Sequence, residues 1–157
     1  MKIKDFIKEY NESNNKKKYI KSHITKSYIS WATKVYEAEK IVSISCTSKQ
    51  DNKFYLSSPM RYFLFVMSVI NNYTDLEVEE KNNVDAYDSL EEFGLISEII
   101  DTIGVDVKNF ETVIKMTFDD YIVNFRNLTS YIDHKLDDFE TLLDEIDVMQ
   151  DTNVVKS

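Results

Sequence analysis

The stretch DVKNFETVIKMTFDDYIVNFRNLTSYIDHKLDDFETLLDEIDVMQ, residues 106–150, decides the fold. It holds no Gly and no Pro, and its apolar positions run Phe110, Ile114, Phe118, Tyr121, Phe125, Leu128, Ile132, Leu136, Phe139, Leu143, Ile146. Ten intervals cover 36 residues, a mean of 3.6, which is the period of a straight α-helix and not the 3.5 of a long left-handed supercoil. Unbroken, such a helix would run about 60 Å at ~1.5 Å per residue, against a radius of gyration of about 15 Å for a compact domain of this size. Two outcomes follow. The helix breaks, with the polar cluster Asn124, Asn127, Thr129, Ser130 as the favoured place, or it continues and buries its stripe against another chain. A homo-oligomer is one form of the second outcome.

Upstream, the repeats Ala86, Leu90, Phe93 and Leu95, Ile96, Ile99, Ile100, Ile103 stop at Gly94 and Gly104, where left-handed C-terminal caps are expected. Ser57-Ser58-Pro59 reads as a helix start, with Ser58 accepting from the free amides and Pro59 at the first helical position. Met60 to Ile70 is apolar on nearly every side with Arg61 its only charge, so it is expected at the centre of the core, and Asn71-Asn72-Tyr73-Thr74 should end it. Nearer the N-terminus, Ile3, Phe6, Ile7 and Tyr10 share one helical face, Lys16-Lys17-Lys18 opens a second helix, and a third begins near Trp31 with Val35, Tyr36 and Ala38. Between Val42 and Leu56 the β-branched and polar run leaves room for a small β-hairpin near residues 42–56.

The expected fold is therefore mainly α: a compact helical domain of five to seven helices over residues 1–157. It comprises a basic part (1–53), core helices (54–104), a long acidic amphipathic helical region (105–150) and a tail (151–157). With two Gly and one Pro in 157 residues, turn-rich sandwiches, barrels and glycine-rich phosphate loops are disfavoured. A single Cys, Cys46, excludes an intramolecular disulfide and a thiolate zinc cluster. No run approaches the ~18 apolar residues of a membrane span, and the N-terminal residues lack a signal peptide's apolar segment, so no membrane association is expected.

Charge is polarised. Residues 1–53 hold twelve Lys and six acids, a balance of +6, while residues 54–157 hold seven basic and 22 acidic residues, a balance of −15. Such asymmetry concerns partners and self-association more than fold. The basic candidates for partner binding are Lys16, Lys17, Lys18, Lys21 and Lys26, interleaved with Tyr19 and Tyr28. Direct nucleic-acid binding is disfavoured, because only Arg61 and Arg126 are available for bidentate contacts and the remainder of the chain is strongly negative. The acidic candidates are Asp133, Asp137, Asp138, Glu140, Asp144 and Glu145, opposite Leu136, Phe139 and Leu143 on one helix. They form either a solvated face or a surface imitating the phosphates of a nucleic acid.

No catalytic constellation emerges, and no enzyme, metal or cofactor is expected. His134 has Asp138 four residues on but no third ligand, His23 has no local carboxylate, and Cys46 has no activating histidine or strong basic flank. Asp119 and Asp120 are adjacent, so on a helix they point about 100° apart and cannot converge on one proton.

Several segments carry a resemblance: Tyr19-Ile20-Lys21-Ser22-His23-Ile24 followed by Tyr28 and Lys34, then Ser58-Pro59-Met60-Arg61-Tyr62, Tyr73-Thr74-Asp75 and Leu128-Thr129-Ser130-Tyr131-Ile132-Asp133. Together they resemble a family of small proteins encoded by bacteriophages and prophages of low-GC Gram-positive bacteria. The resemblance implies a phage protein in the host bacterial cytoplasm or the virion. It would act on a phage or host protein partner, in virion assembly or, alternatively, as an acidic nucleic-acid-mimicking inhibitor of a host defence or DNA-handling protein.

Overall fold

The structure, a computed structural model, describes residues 1–46, 55–78 and 83–154, with side chains described as far as Asp137. Seven helices lie among the described residues: α1 (Ile3–Glu12), α2 (Lys16–His23), α3 (Trp31–Ser45), α4 (Ser58–Tyr73), α5 (Asn83–Glu92), α6 (Leu95–Ile103) and α7 (Val105–Val154). The mainly α expectation holds. β-type pairing among the described residues is confined to isolated bridges, Lys2 with Glu77 and Ile24 with Thr74. The chain divides into two units, Met1–Phe118 and Asp119–Ser157.

Within the first unit each helix buries the face its periodicity marks. α1 turns Ile3, Phe6, Ile7 and Tyr10 inward. α4 buries Phe65 to Ile70 without interruption, followed by Tyr73, and Phe65 meets Phe110 of α7 with ring centroids 5.8 Å apart. At ~1.5–3 kcal/mol for each large apolar side chain fully withdrawn from water, this half-helix is the largest single contribution to the core. The first half of α4 is different: Met60 and Tyr62 are exposed, so Met60 to Ile70 is buried all round only from Phe65 onward. The cap is also one residue earlier than its sequence suggests. Ser57 accepts from the Met60 N–H at 3.3 Å, and Ser58 opens the helix ahead of Pro59.

Gly94 lies at φ +66°, ψ 17°, the left-handed conformation expected of a helix end, and its N–H donates to the Glu91 carbonyl at 2.9 Å. Gly104 also has positive φ, +79°, but at ψ −123° it occupies a region reserved for glycine and not the left-handed helical cap. These two residues let α5, α6 and α7 follow one another with almost no connecting chain.

Two sequence expectations need correction. Residues 42–45 belong to α3, so the first arm of the expected hairpin is helical; of the rest of 42–56, Cys46, Tyr55 and Leu56 are non-helical and residues 47–54 lie outside the described residues. The two sides of that segment are joined by Tyr55 N–H donating to the Cys46 carbonyl at 3.0 Å and Ser57 N–H to the Ser45 carbonyl at 2.9 Å. Second, α7 does not break at Asn124, Asn127, Thr129 or Ser130: all four are helical, and the Thr129 hydroxyl bonds back to the Phe125 carbonyl at 3.0 Å. Thr and Ser side chains returned to the preceding turn satisfy themselves without unwinding the backbone.

Candidate functional site

α7 carries one apolar row through two environments. In the first unit Phe110 and Ile114 are 0% and 5% exposed, covered by the helices around them. At the same helical spacing in the second unit, Leu128, Ile132 and Leu136 are 58%, 48% and 57% exposed. Core spacing is retained where the core has ended. Scattered exposed apolar residues are ordinary on a protein surface, whereas a continuous row along one helix face is the pattern of a surface that pairs with another.

The acidic candidates lie on the same helix. Asp133 and Asp137 are exposed, while the side chains of Asp138, Glu140, Asp144 and Glu145 lie outside the described residues, although α7 includes their backbone. The basic candidates Lys16, Lys17, Lys18, Lys21 and Lys26 are all exposed. Lys17, Lys18 and Lys21 share one face of α2 by their spacing of three and four residues. Lys16 instead sits with its ammonium 4.8 Å from the Tyr10 ring centroid, and Lys26 lies beyond the helix.

The structure brings together one polar cluster that local sequence does not announce. Lys34 on α3 and Asp106 in the first turn of α7 are both buried and joined at 2.5 Å. The other Asp106 oxygen accepts from the Ile29 N–H at 3.0 Å and the Tyr73 hydroxyl at 2.8 Å. Burial alone would push the Asp106 carboxyl up, but hydrogen bonds from Lys34, Ile29 and Tyr73 outweigh it and hold the group below the usual carboxylate range. Burial, then Asp106 itself, drives the Tyr73 phenol far above its ordinary value. Every polar atom here has a partner, so the cluster ties the segment before α3, α4 and α7 together and offers no free acid or base.

His23 is likewise tied internally. Its Nδ1 lies 3.0 Å from Asp75 Oδ1, and its ring packs against Phe6 and Tyr19 at centroid distances of 5.2 and 4.6 Å. His134 is exposed. Cys46 is buried and free, and burial pushes its thiol up, away from the thiolate that nucleophilic chemistry requires. Among the described residues no three His, Cys, Asp or Glu side chains gather as metal ligands, and no helix is long and apolar enough to cross a membrane. Compared with known proteins, the chain matches no family model, no curated protein and no solved structure.

Proposed function

We propose that this chain works by protein–protein contact and not by catalysis, and that copies associate through the apolar row of α7. The observation that carries the reading is the exposure of Leu128, Ile132 and Leu136 at a spacing that buries Phe110 and Ile114 earlier in the same helix. An assembly role, in or on a phage particle formed in the bacterial cytoplasm, is the setting that the resemblance of Tyr19–Ile24, Ser58–Tyr62 and Leu128–Asp133 supports. The alternative reading, an acidic imitation of nucleic acid, draws on Asp133 and Asp137. It leaves the apolar row without a role, so association is favoured.

The test is sedimentation or light scattering over a wide concentration range. Wild type should form dimers or larger species, and Leu128→Asp with Ile132→Asp should return it to monomer with helicity unchanged, since both positions are solvent-facing. A wild-type chain that remains monomeric throughout would overturn the reading.

A further inference from the structure

The first unit carries an open groove of about 280 Å³ between the start of α3 and α7. Tyr28 and Trp31 form one wall, each 62% exposed, and Asn109, Thr112 and Met116 form the other, with Val113 and Lys34 at the base. Trp31 is the only tryptophan in the chain. Trp, Tyr and Met are the residue types enriched at protein interfaces, and a half-exposed Trp beside a half-exposed Met is an expensive arrangement for a surface left wet.

We infer that this groove receives the apolar row of α7, at Leu128 and Ile132, from a second copy of the chain. The inference rests on the association proposed above and names the surface at the other side of that contact. Three observations select the occupant.

The only charge at the base of the groove, the Lys34 ammonium, is already paired with Asp106, so the site does not call for an anion. Thr112 is similarly satisfied through the Lys108 carbonyl at 2.9 Å. What the groove leaves open to a guest is chiefly the exposed apolar surface of Tyr28, Trp31 and Met116. The volume is about twice the ~150 Å³ that accommodates one benzene-sized group. Two aliphatic side chains one helical turn apart therefore fit, and Leu128 and Ile132 are separated by one turn.

Charge also matches. Tyr28 and Trp31 belong to the stretch 1–53 with its balance of +6, and Lys108 and Lys115, exposed and in no ion pair among the described residues, lie beside Asn109 and Met116 on α7. The apolar row, residues 119–137, carries Asp119, Asp120, Asp133 and Asp137 against Arg126 and Lys135, a balance of −2, while the α7 bank of the groove, residues 107–116, carries Lys108 and Lys115 against Glu111, a balance of +1. Two copies of the row facing each other would bring together two surfaces of net negative charge; the row facing the groove brings opposite balances together. Such a contact is heterologous, because each copy offers one groove and one row, and it propagates into chains or rings instead of stopping at a two-fold dimer.

The single tryptophan makes the contact observable in the full-length protein. Wild-type emission should move to the blue, and acrylamide quenching should fall, in step with concentration-dependent association. Met116→Glu, which keeps Trp31 and adds a charge at an already exposed position, should weaken association about 30-fold, the effect expected for a central interface residue. Trp31→Ala should do the same by sedimentation, guarding against a peculiarity of one variant, with circular dichroism confirming both folds.

The decisive measurement mixes Met116→Glu, which retains its row, with Leu128→Asp/Ile132→Asp, which retains its groove. Each alone should be monomeric, and together they should form a closed one-to-one dimer whose blue-shifted tryptophan is the one in the groove-bearing variant. Wild-type association that is lost in Leu128→Asp/Ile132→Asp but unchanged in Met116→Glu and Trp31→Ala would mean that rows pair with rows, overturning this inference alone. A tryptophan shift independent of concentration would place the guest within the same chain and overturn it too. Absence of any association would overturn both the inference and the reading it rests on.

Discussion

Lys34 and Asp106, 72 residues apart in sequence, form a buried ion pair at 2.5 Å that joins α3 to the first turn of α7. Removing one partner strands a charge in the interior, whereas removing both removes the need for it. Lys34→Met should therefore destabilise the fold by about 3–5 kcal/mol, and Lys34→Met with Asp106→Asn should recover part of that loss. Urea unfolding of the two single variants and the double variant gives the coupling directly; additive losses would show that the pair does not act as a unit.

The same carboxylate sets an acid limit to stability. Because the hydrogen bonds from Lys34, Ile29 and Tyr73 outweigh burial and hold Asp106 below its ordinary range, the folded chain takes up its proton less readily than the unfolded chain. Its contribution is complete above about pH 4, where an unfolded Asp is ionised, and is lost as pH falls through the lower folded value. Asp106→Asn should be less stable than wild type at neutral pH but show a flatter decline below about pH 4. Melting temperatures across the acid range check this, and parallel curves would assign the acid limb to other groups.

The half-burial of α4 is equally testable. Val66→Asp places an unpaired charge at a fully buried position, a cost of several kcal/mol against the ~5–15 kcal/mol that holds a whole domain. Val66→Asp should not fold. Tyr62→Asp, four residues earlier and half exposed, should fold and melt close to wild type. Circular dichroism and soluble yield distinguish the two, and equal behaviour would contradict the placement of the core from Phe65 onward.

The residues explain what was legible in the sequence. Periodicity located α1, α4, α6 and α7 because their buried faces are almost purely apolar, as with Phe6, Val66, Ile99 and Phe110. α3 begins at Trp31, where the sequence puts it, but its buried face departs from the hydropathy pattern. Trp31 and Tyr36 face solvent while Lys34 is buried with Ala38, Ile41 and Val42, an arrangement hydropathy scores in reverse. A signal was present: Lys34 stands four residues before Ala38, and Asp106 four before Phe110, so opposite charges occupy core positions on two helices. Distance in sequence hid their pairing, as it hid that of His23 with Asp75. The groove of Tyr28, Trp31 and Met116 is assembled from segments some 80 residues apart, and no local pattern encodes it.

At the two glycines the prediction is purely conformational. A Cβ at Gly94 would meet nothing within 4 Å, and at Gly104 only the Asp101 carbonyl oxygen at 3.8 Å, so neither substitution creates a clash. Gly94→Ala should cost about 1–2 kcal/mol for holding an L-residue in the left-handed region. Gly104→Ala should cost more, because φ +79° with ψ −123° is accessible essentially to glycine alone. Chemical denaturation ranks them, and an inverted order would contradict the Gly104 backbone.

The acids of α7 separate the two functional readings. Asp133, Asp137 and Asp144 recur at spacings of four and seven residues, which places them on one side of a helix. If the apolar row carries association and the acids only complement lysines across the contact, reversing all three to Lys should weaken it modestly, since an ion pair at the rim of a contact contributes about 0–1 kcal/mol. That deficit should vanish as salt rises from 0.1 M to 1 M and the screening length contracts from about 10 Å to about 3 Å. The nucleic-acid-mimic reading expects otherwise: charge is the recognition element, so the triple reversal should abolish binding to a basic partner while Leu128→Asp/Ile132→Asp leaves it intact. Sedimentation of wild type and the triple variant at both salt concentrations, with circular dichroism confirming α7, gives the answer. Association that disappears in the triple variant at every salt concentration would transfer the contact from the apolar row to the acidic face.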